Sequence, residues 1–91
     1  MIIGKVIGNV WATRKEESLS GLKLMVVRRM DLAINEDGES FVAVDCVGAG
    51  IGERVLVVTG SSARKALGSA ETPVDAAIIG IIDEVEVRTE E

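Results

Sequence analysis

The chain has 91 residues, of which 47% are hydrophobic and 27% charged, with ten glycines, one proline and no histidine. This length predicts one domain, residues 1–91, that buries only about two thirds of the surface exposed by the unfolded chain. The lack of histidine excludes imidazole bases and imidazole metal ligands, and the single cysteine, Cys46, excludes an internal disulfide. The net charge of −5 opposes binding to nucleic acid, whose phosphates attract cations.

The β-branched residues valine and isoleucine are about half of the hydrophobic residues. Valine and isoleucine supply 22 residues, and because β-branched side chains suit a pleated sheet, we expect a mainly β domain. Trp11 and Phe41 are the only aromatic residues, so the core is expected to be aliphatic. No apolar run approaches the roughly 20 residues that span a bilayer, and the first residues do not resemble a signal peptide. We therefore expect a protein of the cytoplasm that contacts no membrane.

The first predicted strand covers residues 2–13 and is apolar on both faces. The even positions are expected to face the core, and their two glycines suggest a tight bend or a close backbone approach: Ile2, Gly4, Val6, Gly8, Val10 and Ala12. The odd positions include Ile3, Ile7 and Trp11, which is unusual for a face exposed to solvent. This outer face is expected to be partly covered.

A polar loop, residues 14–21, separates this strand from a second one at residues 22–31. The sequence Asn35-Glu36-Asp37-Gly38 predicts a tight turn into an antiparallel third strand at residues 41–47. Alternation there places Cys46 in the core with Val42 and Val44, and directs Asp45 toward the amides of the following glycine-rich loop. A fourth strand is predicted at residues 54–59.

Helix signals follow the fourth strand. Residues 60–68 predict a two-turn helix with a serine cap at its start and Gly68 just past its end. Residues 72–75, Thr-Pro-Val-Asp, repeat the start signal and predict one further helical turn. A fifth strand is predicted from residue 78 to residue 88, again apolar on both faces. Because one barrel interior cannot bury the second faces of the first and fifth strands, we expect self-association.

The charge is unevenly distributed along the chain. Residues 1–30 contain six basic and two acidic residues, a net charge of +4, whereas residues 31–91 contain four basic and thirteen acidic residues, a net charge of −9. Ordinary solvated faces explain such a division. The alternative is that the basic part of one copy contacts the acidic part of another.

Two segments have the residue types of anion sites. Residues 47–53 are rich in glycine, but a strand follows them where a phosphate-binding loop requires a helix, so a close contact between backbones is the favoured interpretation. Ser61, Ser62 and Arg64 offer hydroxyls and a cation at a helix start, and a capped helix explains the serines without a ligand. No catalytic residues, cofactor or metal site are predicted.

Five segments together resemble the EutN/CcmL family, the pentameric vertex proteins of bacterial microcompartments: residues 4–8, 11–15, 42–53, 60–64 and 74–83. They occur in the family's order and cover nearly the whole chain. Cys46 stands where serine is expected in many members, which retains a small side chain.

The resemblance implies a small five-stranded OB-like β-barrel with one short helix, assembled as a cyclic pentamer. Such a pentamer caps the five-fold corners of a polyhedral shell in the cytoplasm, contacts hexameric shell proteins, has no enzymatic activity and binds no nucleic acid. The subunit interface or the region near the pore is then expected to include Gly48, Ala49, Gly50, Ile51, Gly52, Ser61, Ser62, Arg64, Ile3, Ile7 and Trp11. The alternative is an OB-like module that binds single-stranded nucleic acid or oligosaccharide, although two aromatics and a negative charge suit it poorly.

Overall fold

Five strands close into a barrel in the computed structural model, which describes residues 1–13, 15–31 and 36–88, and of residues 36 and 37 the backbone alone. The strands are β1 (Ile2–Val10), β2 (Leu24–Asp31), β3 (Glu36–Asp45), β4 (Arg54–Thr59) and β5 (Ala76–Ile81). A 3-10 helix covers Glu17–Leu19, and helix α1 covers Ser61–Leu67. The order around the barrel is β1-β2-β3-β5-β4, with β3 and β5 parallel and the other pairs antiparallel. The predicted mainly β class and five-stranded barrel are confirmed.

The barrel interior is aliphatic, as the composition predicts. Alternate residues of each strand point inward, which follows from the two-residue period of a strand. Phe41 and Ile2 pack at the margin of this group of nine buried residues: Val6, Met25, Val27, Ala43, Ala49, Val55, Val57, Ala76 and Ile78.

A second apolar cluster lies outside the barrel, where α1 packs on β4 and β5. Its buried members are Val44, Val58, Ala63, Val74 and Ala77, and half-buried leucines surround them. The chain itself therefore covers the outer face of β5. Our expectation that this face requires a partner is wrong over Ala77 and Ile79, because helix α1 and the segment between α1 and β5 supply the cover.

Strand β1 contains a bulge that its alternation does not reveal. Val6 pairs with Val27, but the next pair is Gly8 with Val26, so Ile7 is an extra residue. A bulge changes the facing of the residues beyond it. The even positions face the core up to Val6, as predicted, but this prediction is wrong from Gly8 onward.

The predicted turn before β3 is partly wrong. Asp37 and Gly38 lie within β3, where Asp37 pairs with Met30 of β2. Asn35 lies outside the described residues. The antiparallel pairing of the two strands is confirmed.

The helix signals are met in part. Gly68 ends α1 in the left-handed conformation, with φ 73°, as predicted. The first cap is Gly60, and no serine side chain caps the helix, so that prediction is wrong. Residues 72–75 form no helical turn, since Val74 N–H donates to Thr72 C=O at 2.7 Å, a bond that closes a shorter turn.

The fifth strand differs from its prediction at both ends. β5 begins at Ala76 and ends at Ile81, and residues 82–88 have no strand partner among the described residues. Alternating valines and acids in this tail have the pattern of a strand, but no neighbouring strand in the barrel extends far enough to pair with it.

Candidate subunit interface

The glycine-rich loop after β3 is organised by a buried carboxylate. Only 2% of the Asp45 side chain is exposed. Its Oδ1 accepts hydrogen bonds from the amides of Val47 and Gly48, at 3.0 and 3.1 Å, and its Oδ2 accepts one from Ala49 at 2.9 Å. The predicted contact between Asp45 and the loop amides is confirmed.

Two further side chains fix the same loop. Lys23 Nζ donates to the Ala49 carbonyl at 2.9 Å and lies 3.6 Å from Asp45 Oδ2. Glu53 Oε1 accepts a hydrogen bond from the Gly50 amide at 2.7 Å. Four consecutive amides, residues 47 to 50, thus donate to carboxylates of the chain. They are not directed at a ligand, which argues against a phosphate site.

The end of the loop joins β1 through backbone hydrogen bonds. Gly52 N–H donates to Val6 C=O at 2.8 Å, and Val6 N–H donates to Glu53 C=O at 3.0 Å. Gly48 and Gly52 have φ values of 81° and 93°, which favour glycine. Ala49 is buried in the barrel, whereas Ile51 at the loop tip is 62% exposed. The loop is a fixed, outward-facing surface with an apolar tip.

Cys46 is not in the core, and this prediction is wrong. β3 ends at Asp45, so alternation no longer fixes the side chain that follows, and the thiol is exposed. Val42 is also exposed, at 47%, and only Val44 of the predicted trio is buried. Partial burial, and then the Asp45 carboxylate, raise the pKa of the Cys46 thiol.

The predicted residues of α1 lie on the surface of the barrel. Ser61 and Ser62 are exposed, and Arg64 is half-buried with its Nη1 donating to the Val74 carbonyl at 3.2 Å. This bond ties α1 to the segment before β5. No group of residues suited to hold a metal ion occurs in the described part of the chain.

The third predicted set is spread along β1 and its end, and because of the bulge at Ile7 alternation no longer places Trp11 on the side where Ile3 lies. Ile3 is half-buried, Ile7 is 37% exposed and Trp11, just past the strand, is 88% exposed. Trp11 borders a groove of about 300 Å³ that also contacts Val10, Leu22 and Lys23. An indole exposed to this extent on a groove is typical of a contact surface.

Of the three predicted sets of interface residues, the structure brings together the glycine-rich loop and β1, and it separates both from the start of α1. Hydrogen bonds at Val6 place the loop of residues 48–52 beside β1. Ser61, Ser62 and Arg64 lie at the other end of β4, because the loop precedes this strand and α1 follows it. One copy therefore presents two different surfaces, as a head-to-tail ring requires.

Comparison with known proteins places the chain in a family. Residues 1–83 match the family model described as "Ethanolamine utilisation protein EutN/carboxysome". The chain belongs to the EutN/CcmL family. No helix in the described residues is long and apolar enough to cross a membrane.

The sequence aligns with two shell vertex proteins over almost their whole length. The chain is 54% identical over 86 residues to the bacterial microcompartment shell vertex protein GrpN of Rhodospirillum rubrum, covering 94% of this chain and 97% of GrpN. It is 51% identical over 88 residues to the carboxysome shell vertex protein CcmL of Synechococcus elongatus, covering 97% of this chain and 89% of CcmL.

The fold is similar to that of a solved pentamer. The structure of the pentameric microcompartment shell protein GrpN from Rhodospirillum rubrum superposes with a TM-score of 0.85 at 52% identity, covering 97% of this chain and all of that chain. These relatives are structural shell proteins, and they do not support the alternative of a nucleic-acid or oligosaccharide-binding module.

Proposed function

We propose that this chain, working as a single domain of residues 1–91, is a structural vertex protein of a bacterial microcompartment shell in the cytoplasm. Five copies form a ring that closes a five-fold corner. The observation that carries the proposal is the likeness in fold and sequence to the pentameric shell protein GrpN. The chain needs no cofactor and has no catalytic role in this function.

The ring contact is proposed to join the two different surfaces of neighbouring copies. One surface comprises residues 48–52 with Ile3, Ile7 and Trp11, and the other comprises Ser61, Ser62 and Arg64. The loop suits a contact or the rim of a pore because Asp45 and Glu53 hold it in one conformation. A surface that is already ordered loses little conformational entropy on association.

Hexameric shell proteins are the proposed partners at the outer margin of the ring. A pentamer supplies the five-fold corner that flat sheets of hexamers lack. Exposed apolar residues outside the proposed ring contact, such as Val42 and Ile81, remain available for such lateral packing.

Native mass spectrometry of the purified chain near neutral pH tests the ring directly. A species of five subunits, about five times the 9.6 kDa chain, is the expected result. A stable monomer at micromolar concentration contradicts the proposal. Tight binding of a single-stranded oligonucleotide by that monomer would instead support the alternative function, an OB-like nucleic-acid-binding module.

Co-expression with a hexameric shell protein tests the vertex role. Closed polyhedral particles containing this chain are expected, whereas the hexamer without it is expected to form open sheets or tubes. Particles that close equally well without this chain contradict its place at the corners.

A further inference from the structure

The third strand of the barrel is paired on one side only over most of its length. β3 pairs with β2 from Glu36 to Val44, but it pairs with β5 only at Val44 and Asp45. Residues 38–43 therefore form an open edge within the described part of the chain. An open edge offers unpaired main-chain groups to an extended segment that approaches it.

Backbone hydrogen bonds at the end of β3 show which groups face the open edge. Asp45 N–H donates to Lys23 C=O on the β2 side at 2.9 Å, and Cys46 N–H donates to a carbonyl of β5 at 3.1 Å. Successive residues of a strand direct these groups to opposite sides, so Val42 and Ser40 direct theirs away from β2. Neither has a backbone partner on that side among the described residues.

A cleft of about 540 Å³ lies beside this edge. No basic residue of the described chain lines it, and its two carboxylates form no ion pair with a described residue. Arg64 donates to the Val74 carbonyl and not to the carboxylate of the next residue. The open edge and the cleft are together called the β3 edge site. Four apolar residues and two exposed acids line the cleft: Ile2, Phe41, Val42, Ala76, Glu39 and Asp75.

An extended segment that alternates apolar and basic side chains fits the β3 edge site. Strand addition at a sheet edge obtains affinity from main-chain hydrogen bonds and specificity from pockets for alternate side chains. Ser40 and Val42 supply the main-chain groups, the cleft takes an apolar side chain, and Glu39 and Asp75 attract cations. Six residues of open edge span about 20 Å, enough for a short strand.

A second copy of this chain suits the edge poorly. Its strand cations, such as Lys5 on β1 and Arg28 on β2, belong to strands already paired on both sides of the barrel. Lys15 is followed at once by Glu16, which the acids of the cleft repel. Two β3 edges paired with each other would bring Glu39 of both copies into one small sheet, and like charges there are unfavourable.

We propose that the β3 edge site binds an extended basic segment of a hexameric shell protein, which joins β3 as an added strand. The proposal rests on the vertex role proposed above, since the partner is the hexamer that surrounds the ring. Val42 lies outside the proposed ring contact and remains exposed, at 47%, in a single copy. Thr59 and Gly60 also line the cleft and precede Ser61 of the ring contact, so the hexamer lies along the margin of the ring.

Blocking the edge tests the strand addition. Ser40→Pro removes an N–H that faces away from β2, and an edge strand tolerates proline at such a position. Together with the hexameric shell protein that closes particles in the co-expression experiment above, this variant is expected to give at least about tenfold fewer closed particles that contain this chain. Native mass spectrometry is expected to show five subunits still.

Ser40→Val is the matched control for the proline. It keeps the amide and the preference for a strand, so it is expected to close particles as the unmodified chain does. Equal assembly by Ser40→Pro and Ser40→Val would overturn the β3 edge site.

Charge reversal at the cleft gives an independent readout, which also decides the question if Ser40→Pro does not fold. Glu39→Lys with Asp75→Lys is expected to reduce closed particles at least about tenfold, because the basic segment is repelled. Glu71→Lys with Glu84→Lys makes the same change in net charge at exposed positions that do not line the cleft, and it is expected to leave assembly unchanged. Equal loss with both pairs would mean a general charge effect and would count against the site.

Hydrogen exchange separates the β3 edge site from the vertex role. The amides of Ser40 and Val42 are expected to exchange at least about tenfold more slowly in closed particles than in the isolated ring. Closed particles in which these two amides exchange as fast as in the ring overturn the edge site and leave the vertex role intact. A chain that enters no closed particle with a hexameric shell protein overturns both.

Discussion

Asp45 illustrates how one side chain determines a functional surface. Its carboxylate accepts three amides of the following loop while almost fully buried, and Lys23 provides the only cation near it among the described residues. A buried charge is tolerated only when it is hydrogen-bonded in this way. The shape of the proposed contact at residues 48–52 thus depends on a side chain that is itself buried within one copy.

Replacing this carboxylate is expected to destabilise the chain. Asp45→Ala removes three hydrogen bonds to a charged acceptor and leaves the part-buried amide of Ala49 unpaired, a loss of about 2 to 3 kcal/mol in the free energy of unfolding. Urea denaturation at one fixed protein concentration measures it. Asp75→Ala, which removes an exposed carboxylate, is the control and is expected to cost less than about 0.5 kcal/mol. Similar losses in the two variants would contradict the role of Asp45.

The sequence predicts the hydrogen bonds of Asp45 correctly but not the exposure of Cys46, because only the former is determined by neighbouring residues in the chain. An aspartate just before a run of glycines has amides within reach of its side chain, so its role follows from short-range geometry. The position of Cys46 depends on where β3 ends and on which outer residues α1 covers. Alternation alone contains neither piece of information.

At the scale of the element, the two glycines of β1 serve different purposes. A Cβ on Gly4 would meet Val27 Cγ1 closer than any packed contact allows and would lie 2.9 Å from the Arg28 carbonyl oxygen. A Cβ on Gly8 would meet its nearest neighbour, on Val26, at 3.9 Å. The close approach of backbones predicted for this strand occurs at Gly4 and not at Gly8.

The same substitution at the two positions is therefore expected to give different results. Gly4→Ala should lower the free energy of unfolding by about 2 to 3 kcal/mol, because it overpacks β1 against the β2 backbone. Gly8→Ala should change it by less than about 0.5 kcal/mol, since the space is free. Thermal melting of both variants measures the difference. Equal effects would contradict the close approach at Gly4.

Element type was easier to predict than element boundaries. The β-branched composition and alternation predicted all five strands, because these signals act within each strand. The bulge at Ile7 and the end of β5 at Ile81 depend on the neighbouring strands, which set the register and the length of pairing. The cover over the outer face of β5 likewise depends on how α1 folds back, which no single segment encodes.

At the scale of the whole molecule, the uneven charge along the chain is not divided between two sides of the barrel. Lys5 lies opposite Arg28 of β2 and Arg54 of β4, and the acidic segment of residues 83–86 leaves the barrel beside Arg54, whose carbonyl accepts a hydrogen bond from Ile82 N–H. The two unlike surfaces that favour a head-to-tail ring over a two-fold dimer are therefore the loop of residues 48–52 and the start of α1, which lie at opposite ends of β4. The number five, however, has no counterpart in composition or alternation and rests on the likeness to solved pentamers.

Substitution of Trp11 tests the proposed subunit contact of the ring. Its indole is the only one in the chain and is largely exposed in a single copy, so Trp11→Ala should alter the free energy of unfolding of a dissociated subunit by less than about 0.5 kcal/mol. If Trp11 lies between subunits, the same change should weaken each contact by about 2 kcal/mol, as truncation of a central aromatic residue does. Analytical ultracentrifugation over a range of concentrations measures the association.

Val42→Ala is the matched control, because Val42 is an exposed apolar residue outside the proposed ring contact, and it should leave the pentamer unchanged. In the unmodified chain, Trp11 emission should move to shorter wavelength and become less accessible to acrylamide as the ring forms, because association removes the indole from water. A ring that is equally stable after Trp11→Ala, with the indole still open to the quencher in the unmodified pentamer, would remove Trp11 from the subunit contact. The groove beside it would then remain on the outside of the ring, where hexameric neighbours are proposed to pack.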